Sequence, residues 1–157
     1  FFLSNGEVFE RLAWHEAPGL HLKLIAATAV AALLYLIGFC WRLFNPDVSS
    51  SILPARDRWL GALLGILALY FFYRSFLVFN MNLEEFIFGI PSEFKYTIVL
   101  AHVFVALTLL SIVLVILQWR NSSGSLMARL RYGAFTSCNL ILVVVLWYWN
   151  GLSYYFT

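Results

Sequence analysis

Four groups of residues carry types and spacings that can do chemistry. Ser92-Glu93-Phe94-Lys95 fits the S-x-x-K pattern, in which a lysine takes the serine proton and frees the oxygen to attack an acyl carbon. Tyr148-Trp149-Asn150 looks like a second element of the same enzymes. His15-Glu16 opens like the zinc motif H-E-x-x-H, and His21 and His102 invite bis-histidine ligation of a haem between helices. Arg74, the fourth, is a cation set among apolar residues.

What these residues can do depends on the elements that carry them. Of 157 residues, 62% are hydrophobic and 11% charged, and mean hydropathy is +0.85. A soluble domain has about 45–50% apolar and about 25% charged residues, so lipid must solvate much of this chain. The net charge is +2 and the ten Lys and Arg are scattered, which gives no nucleic-acid footprint. Cys40 and Cys138 lie far apart inside apolar segments and form neither a redox pair nor a disulfide framework. The start, "FFLSNGEVFERL", carries no initiator Met and no targeting signal, and reads as an interior boundary of a longer protein.

About 20 apolar residues cross the hydrocarbon core as a helix. Uncharged runs place four crossings near Leu22–Phe44, Arg58–Met81, Phe94–Arg120 and Arg129–Leu152. The fold class is therefore an all-α membrane protein with four transmembrane helices. Residues 1–20 form a juxtamembrane linker or the tail of an upstream extracytoplasmic domain, and 21–157 the transmembrane domain. Between the middle spans, Leu83, Phe86, Ile87 and Ile90 recur at helical spacing opposite Glu84 and Glu85. That predicts a short amphipathic interfacial helix, capped by Asn82 and ended by Gly89 and Pro91.

Arg42, Arg56 and Arg58 flank the first connection, and Arg120, Arg129 and Arg131 the third. By the positive-inside rule both face the cytoplasm of a multi-pass protein of a bacterial inner membrane, and both termini face outward. The six tryptophans fall near span ends, as interfacial aromatics do.

Within this frame most of the chemistry has a plainer explanation. Ser92 is a natural N-cap of the third span with Glu93 in its first turn, and Lys95 snorkels to headgroups. "YWN" belongs to an aromatic belt. Pro18 and Gly19 defeat the zinc motif. His21 and His102 stand at different depths, so they remain weak haem candidates. Gly61 and Gly65 form a G-x-x-x-G strip that Ala27 and Ala31 of the first span would face; packing within the bundle is favoured over contact with a second copy. Arg74 lies ~15 residues along its span, hence ~22 Å at 1.5 Å per residue, in the outer leaflet. There it should pair with Glu84, Glu85 or outer phosphates, as a structural anchor or, with His102, beside a groove for an amphiphilic substrate.

Two stretches carry a family likeness. "FERLAWHEAPGLH", Phe9 to His21, and "QWRNSSGSLMARLRYGAFTSCNLILVVVLWYWNGL" near the C-terminus resemble the membrane tails of bacterial β-lactamase-related serine hydrolases. These are the CubicO-type, penicillin-binding-protein-like enzymes. The matching residues include Trp119, Arg120, Ser125, Leu126, Arg129, Arg131, Tyr132, Tyr148, Trp149 and Asn150, and "FGIPSEF" is also similar. The resemblance implies a tail that fixes a secreted hydrolase domain, cleaving amides or esters, to the outer face of the cytoplasmic membrane. None of the family's catalytic residues maps onto this chain, which is assigned no catalytic residue, metal or cofactor. The expected partners are the bilayer, the upstream domain of the same polypeptide and a second copy through the glycine strip. The alternatives are a freestanding haem or redox bundle and a small transporter or assembly subunit.

Overall fold

The computed structural model describes residues 2–4, 7–9, 18–45, 53–80 and 91–148. Strands β1 (Phe2–Ser4) and β2 (Glu7–Phe9) pair antiparallel, Leu3 opposite Val8. Four helices follow: α1 (Pro18–Phe44), α2 (Ala55–Phe79), α3 (Ser92–Arg120) and α4 (Leu126–Tyr148). Each is long and apolar enough to cross a bilayer, and the chain is a multi-pass membrane protein. The predicted interfacial helix at 82–90 lies outside the described residues.

The helix starts show why each span begins where it does. Pro18 opens α1 earlier than expected, because a proline in the first turn loses no hydrogen bond that the helix would have made. Pro54 and Pro91 precede α2 and α3 in the same extended conformation. The carbonyl of Pro54 accepts from the amides of Asp57 (3.0 Å) and Arg58 (3.2 Å), and that of Pro91 from Phe94 (3.1 Å) and Lys95 (3.3 Å). Pro91, not Ser92, therefore holds the cap position of α3, and no side chain caps it. Glu93 does sit in the first turn, where the helix dipole favours an acid. At α4, Ser125 Oγ accepts from the amide of Ala128 at 3.2 Å, a true side-chain cap. The turn from α3 to α4 requires positive φ at Ser122 (48°) and Gly124 (77°), which glycine adopts without penalty.

The helices run antiparallel to their neighbours in an up-and-down bundle, with α4 closing against α1. Four contacts fix the register. Tyr35 of α1 stacks on Phe135 of α4, with ring centroids 4.4 Å apart. Phe71 of α2 lies parallel to Phe104 of α3 at 6.3 Å. His21, near the start of α1, meets Tyr148 at the finish of α4, ring centroids 5.3 Å apart. Phe39 and Trp59 meet edge-on at 5.1 Å where α1 ends and α2 begins. One end of the bundle thus carries the α1–α2 and α3–α4 connections and is called here the basic end. The start of α1 and the finish of α4 share the other, the terminal end.

Gly61 and Gly65 set the approach of α1 to α2. A methyl at Gly61 would overlap the Tyr35 ring, with Cε1 only 2.8 Å away, and one at Gly65 would meet Leu36 Cγ at 3.2 Å. The glycine strip therefore packs within the bundle. The face opposite it is Ala32, Tyr35 and Leu36; Ala31 is half-buried and Ala27 is exposed, contrary to the expected Ala27–Ala31 strip. The core joins Ala32, Leu64, Ala68, Phe104, Phe135 and Leu142. Leu34, Ile37, Ile66, Phe76, Val113, Ile116 and Val144 point outward, the surface that contacts lipid.

Candidate functional site

Lipid cannot hydrogen-bond, so polar side chains in the spans turn inward and find one another. Three groups of buried polar residues tie one helix to another, while Thr108 and Asn139 donate to carbonyls one turn back in their own helices and His21 packs on Tyr148. In the middle of the α3–α4 contact, Ser111 Oγ donates to Tyr132 Oη at 2.9 Å and lies 2.9 Å from Thr136 Oγ1. Between α1 and α4, Thr28 Oγ1 reaches its own helix at Leu24 O (3.0 Å) and the Cys138 carbonyl across the interface (3.1 Å). Toward the basic end, Asp57 is 1% exposed. Its Oδ2 accepts from Gln118 Nε2 at 2.9 Å and its Oδ1 from Arg56 Nε at 2.9 Å. An isolated buried carboxylate is costly, and these two donors, with its place in the first turn of α2, offset that cost.

Beside these groups, at the basic end, a cavity of about 410 Å³ opens between α1 and α4. Its size is that of a small-molecule site, ~300–1,000 Å³. Small side chains create it: Ala31 and Gly38 on α1 face Ala128, Ala134 and Cys138 on α4. A methyl built on Gly38 meets no atom within 4 Å. Tyr35, Phe135 and Tyr132 form an aromatic wall, and Leu53 lines the side toward α2. Arg42, Arg58 and Arg131 line the same cavity, which has no acidic residue in its walls among the described residues. Asp57, the nearby buried acid, is already committed to Gln118 and Arg56. Arg58 Nε is buried without a partner among the described residues.

A second, shallower groove of about 400 Å³ lies at the terminal end, lined by Tyr70, Arg74, Glu93, Tyr96 and Leu100. Here Arg74 makes an ion pair with Glu93, its Nη2 also lying 3.5 Å from the Glu93 carbonyl. The expected partners Glu84 and Glu85 lie outside the described residues. Glu93, expected to serve only the helix dipole in the first turn of α3, reaches α2 as well. His102 does not line this groove.

The remaining sequence candidates separate in space. Ser92 and Lys95 are both exposed on the first turn of α3. His21 is buried against Tyr148, whereas His102 is exposed on α3, the helix diagonally across the bundle, with Nδ1 2.8 Å from Ile98 O. The two histidines do not converge on one ligand. Trp149, Asn150, His15 and Glu16 lie outside the described residues. No group of three or more His, Cys, Asp or Glu able to hold a metal occurs among the described residues.

Asp57, Gln118, Ser111, the hydrogen bond of Tyr132 and the cavity are not among the features expected from the sequence. A signal existed for the polar core. Thr108, Ser111 and Gln118 recur on the buried face of α3, and Tyr132, Thr136 and Asn139 on that of α4, at spacings of three, four and seven residues. In an otherwise apolar span, such a polar stripe marks the side facing protein. No family model, curated protein or solved structure matches the chain.

Proposed function

We propose that this chain is a membrane domain that anchors and orients an extracytoplasmic serine hydrolase, an amide- or ester-cleaving enzyme of the β-lactamase-related kind. One observation carries the reading: α1 starts and α4 finishes at the same end of the bundle, opposite the end that gathers Arg42, Arg56, Arg58, Arg120, Arg129 and Arg131. With the arginines retained in the cytoplasm, a domain joined before Pro18 stands outside a bacterial inner membrane. The resemblance of Phe9–His21 and of the α3–α4 segment to hydrolase tails supports the same assignment. So does the β1–β2 ribbon, since a hairpin of three-residue strands is marginal alone and gains stability by joining further strands. Confinement to the membrane plane would raise the encounter rate of such a hydrolase with membrane-bound substrates.

The rival readings lose their main supports. Haem ligation needed two histidines on one ligand, and they diverge. The transporter or assembly-subunit reading drew on Arg74 in lipid, and Arg74 is paired with Glu93.

The test is direct. An antibody against the α3–α4 turn is used to find the native membrane protein, which is then treated with a fluorescent serine-directed acylating probe. The reading expects a band far heavier than 18.0 kDa that takes the label. A native band near that mass, or a heavier one inert to serine-directed probes, contradicts it.

A further inference from the structure

The cavity between α1 and α4 is not explained by anchoring. A bundle needing only to cross the bilayer would fill the space beside Gly38 and Ala134 with a larger apolar side chain, as α2 and α3 do with Phe71 and Phe104. We infer that it is a binding site for an anionic phospholipid of the leaflet at the basic end. An acyl chain lies in the apolar cavity, and the phosphate is held by Arg42, Arg58 and Arg131.

Three independent observations support this occupant. The first is charge: among the described residues, three guanidinium groups line one cavity with no carboxylate in its walls, and none of the three makes an ion pair. Arg56 and Arg74, by contrast, are neutralised by acids of the chain itself. The second is a buried donor: Arg58 Nε is shielded from solvent and has no acceptor among the described residues, a costly state that a phosphate oxygen would relieve. The third is depth. Trp41 (67% exposed) and Trp59 (60%) stand on the outside of the bundle beside the cavity residues Arg42 and Arg58, marking the headgroup level. An arginine-lined pocket between helices at that level has the chemistry that recognises anionic headgroups. Arginine also presents a planar fork that grips phosphate bidentately.

The inference does not rest on the anchoring role, and its test reads lipid rather than hydrolase activity. The purified chain is delipidated in neutral detergent and supplied with phosphatidylglycerol or with phosphatidylcholine of the same chains. Bound lipid is counted by native mass spectrometry. One phosphatidylglycerol should remain per chain, held at least ~10-fold more tightly than phosphatidylcholine. Arg42→Gln/Arg58→Gln/Arg131→Gln should abolish that preference. Gly38→Leu, whose Cβ meets no atom within 4 Å and whose side chain enters the cavity, should expel both lipids and leave the melting temperature equal or raised. Equal retention of the two lipids overturns the inference, as does a preference surviving the triple substitution or lipid retained unchanged by Gly38→Leu. Displacement of the lipid by millimolar inorganic phosphate alone would also overturn it, since a headgroup-only site does not use the cavity. A second chain copy bound in place of lipid would do the same.

Discussion

The two grooves hold the same kind of residue in opposite circumstances. At the terminal end, Arg74 lies in a shallow groove and is neutralised by Glu93 from the neighbouring helix. At the basic end, Arg42, Arg58 and Arg131 line a cavity of similar volume whose walls hold no acid among the described residues, and the buried carboxylate nearby is used up by Gln118 and Arg56. An arginine whose counter-charge comes from its own chain is a structural tie. One without an acid partner among the described residues, beside an apolar space, is where the proposed lipid phosphate would bind. Tyr35 links the second region to the glycine strip, because its ring is both the wall of the cavity and the surface that Gly61 accommodates.

The largest effect is therefore expected at Gly61. Gly61→Leu places a side chain where the Tyr35 ring lies and forces α1 from α2; overpacking of this kind costs about 1–3 kcal/mol. Unfolding in a denaturing-detergent titration should report the loss, and lipid retention at the cavity should fall with it. An unaltered titration would mean that α1 does not pack on α2 through this strip.

Gln118→Leu comes next. It removes a donor to Asp57 and leaves a buried carboxylate oxygen unpaired, at a cost of ~1–3 kcal/mol. Asp57→Asn in the same background should recover part of the loss, because the neutral amide is cheaper to bury. Failure of that rescue would show that the Asp57–Gln118 contact does not bear on stability.

Tyr132→Phe deletes one hydrogen bond with Ser111 and keeps the ring, so it should cost less, about 0.6 kcal/mol and at most ~1.7. Its effect should vanish when Ser111 is already alanine. Additivity of the two substitutions would deny the pairing.

The smallest effects bear on the two grooves directly. Arg74→Leu should lower stability by ~0.2–1 kcal/mol, as for a partly exposed ion pair whose Glu93 side chain is 49% exposed. Glu93→Gln should cost as little, and the double substitution no more than either single one. Arg58→Gln in lipid-free detergent should be neutral or slightly stabilising, since no partner is lost. A clear loss at Arg58 and none at Arg74 would reverse the contrast between the two ends.

How far the sequence carries this picture differs by feature. Four spans and their order were legible because the uncharged runs of the chain match the bilayer thickness. The helix starts were less so. Pro18 and Pro91 read as interruptions, yet a proline costs no bond at or just before a first turn, so α1 begins earlier than expected and Ser92 gives up the cap of α3 to Pro91. Which face of each helix meets protein was poorly legible, because lipid and core are equally apolar. On α1 the choice of Ala27 and Ala31 over Ala32 had no hydrophobic contrast to guide it, whereas on α3 and α4 the polar stripe did mark the inner face. Arg74 was recognised as requiring a partner, but Glu93 had been given a sufficient local role and its second one was overlooked. The cavity could not be read at all. It is a space left by small residues on α1 and α4, and only their juxtaposition makes it.

In an antiparallel bundle of this kind the basic end and the terminal end lie on opposite sides of a membrane. This arrangement is tested most directly by single-cysteine accessibility, with Cys40 and Cys138 replaced and Gly19→Cys or Ser123→Cys introduced, in cells and in inverted vesicles. A membrane-impermeant maleimide should reach position 19 only from outside the cell and position 123 only in inverted vesicles. Labelling of both positions from the same side would contradict the arrangement.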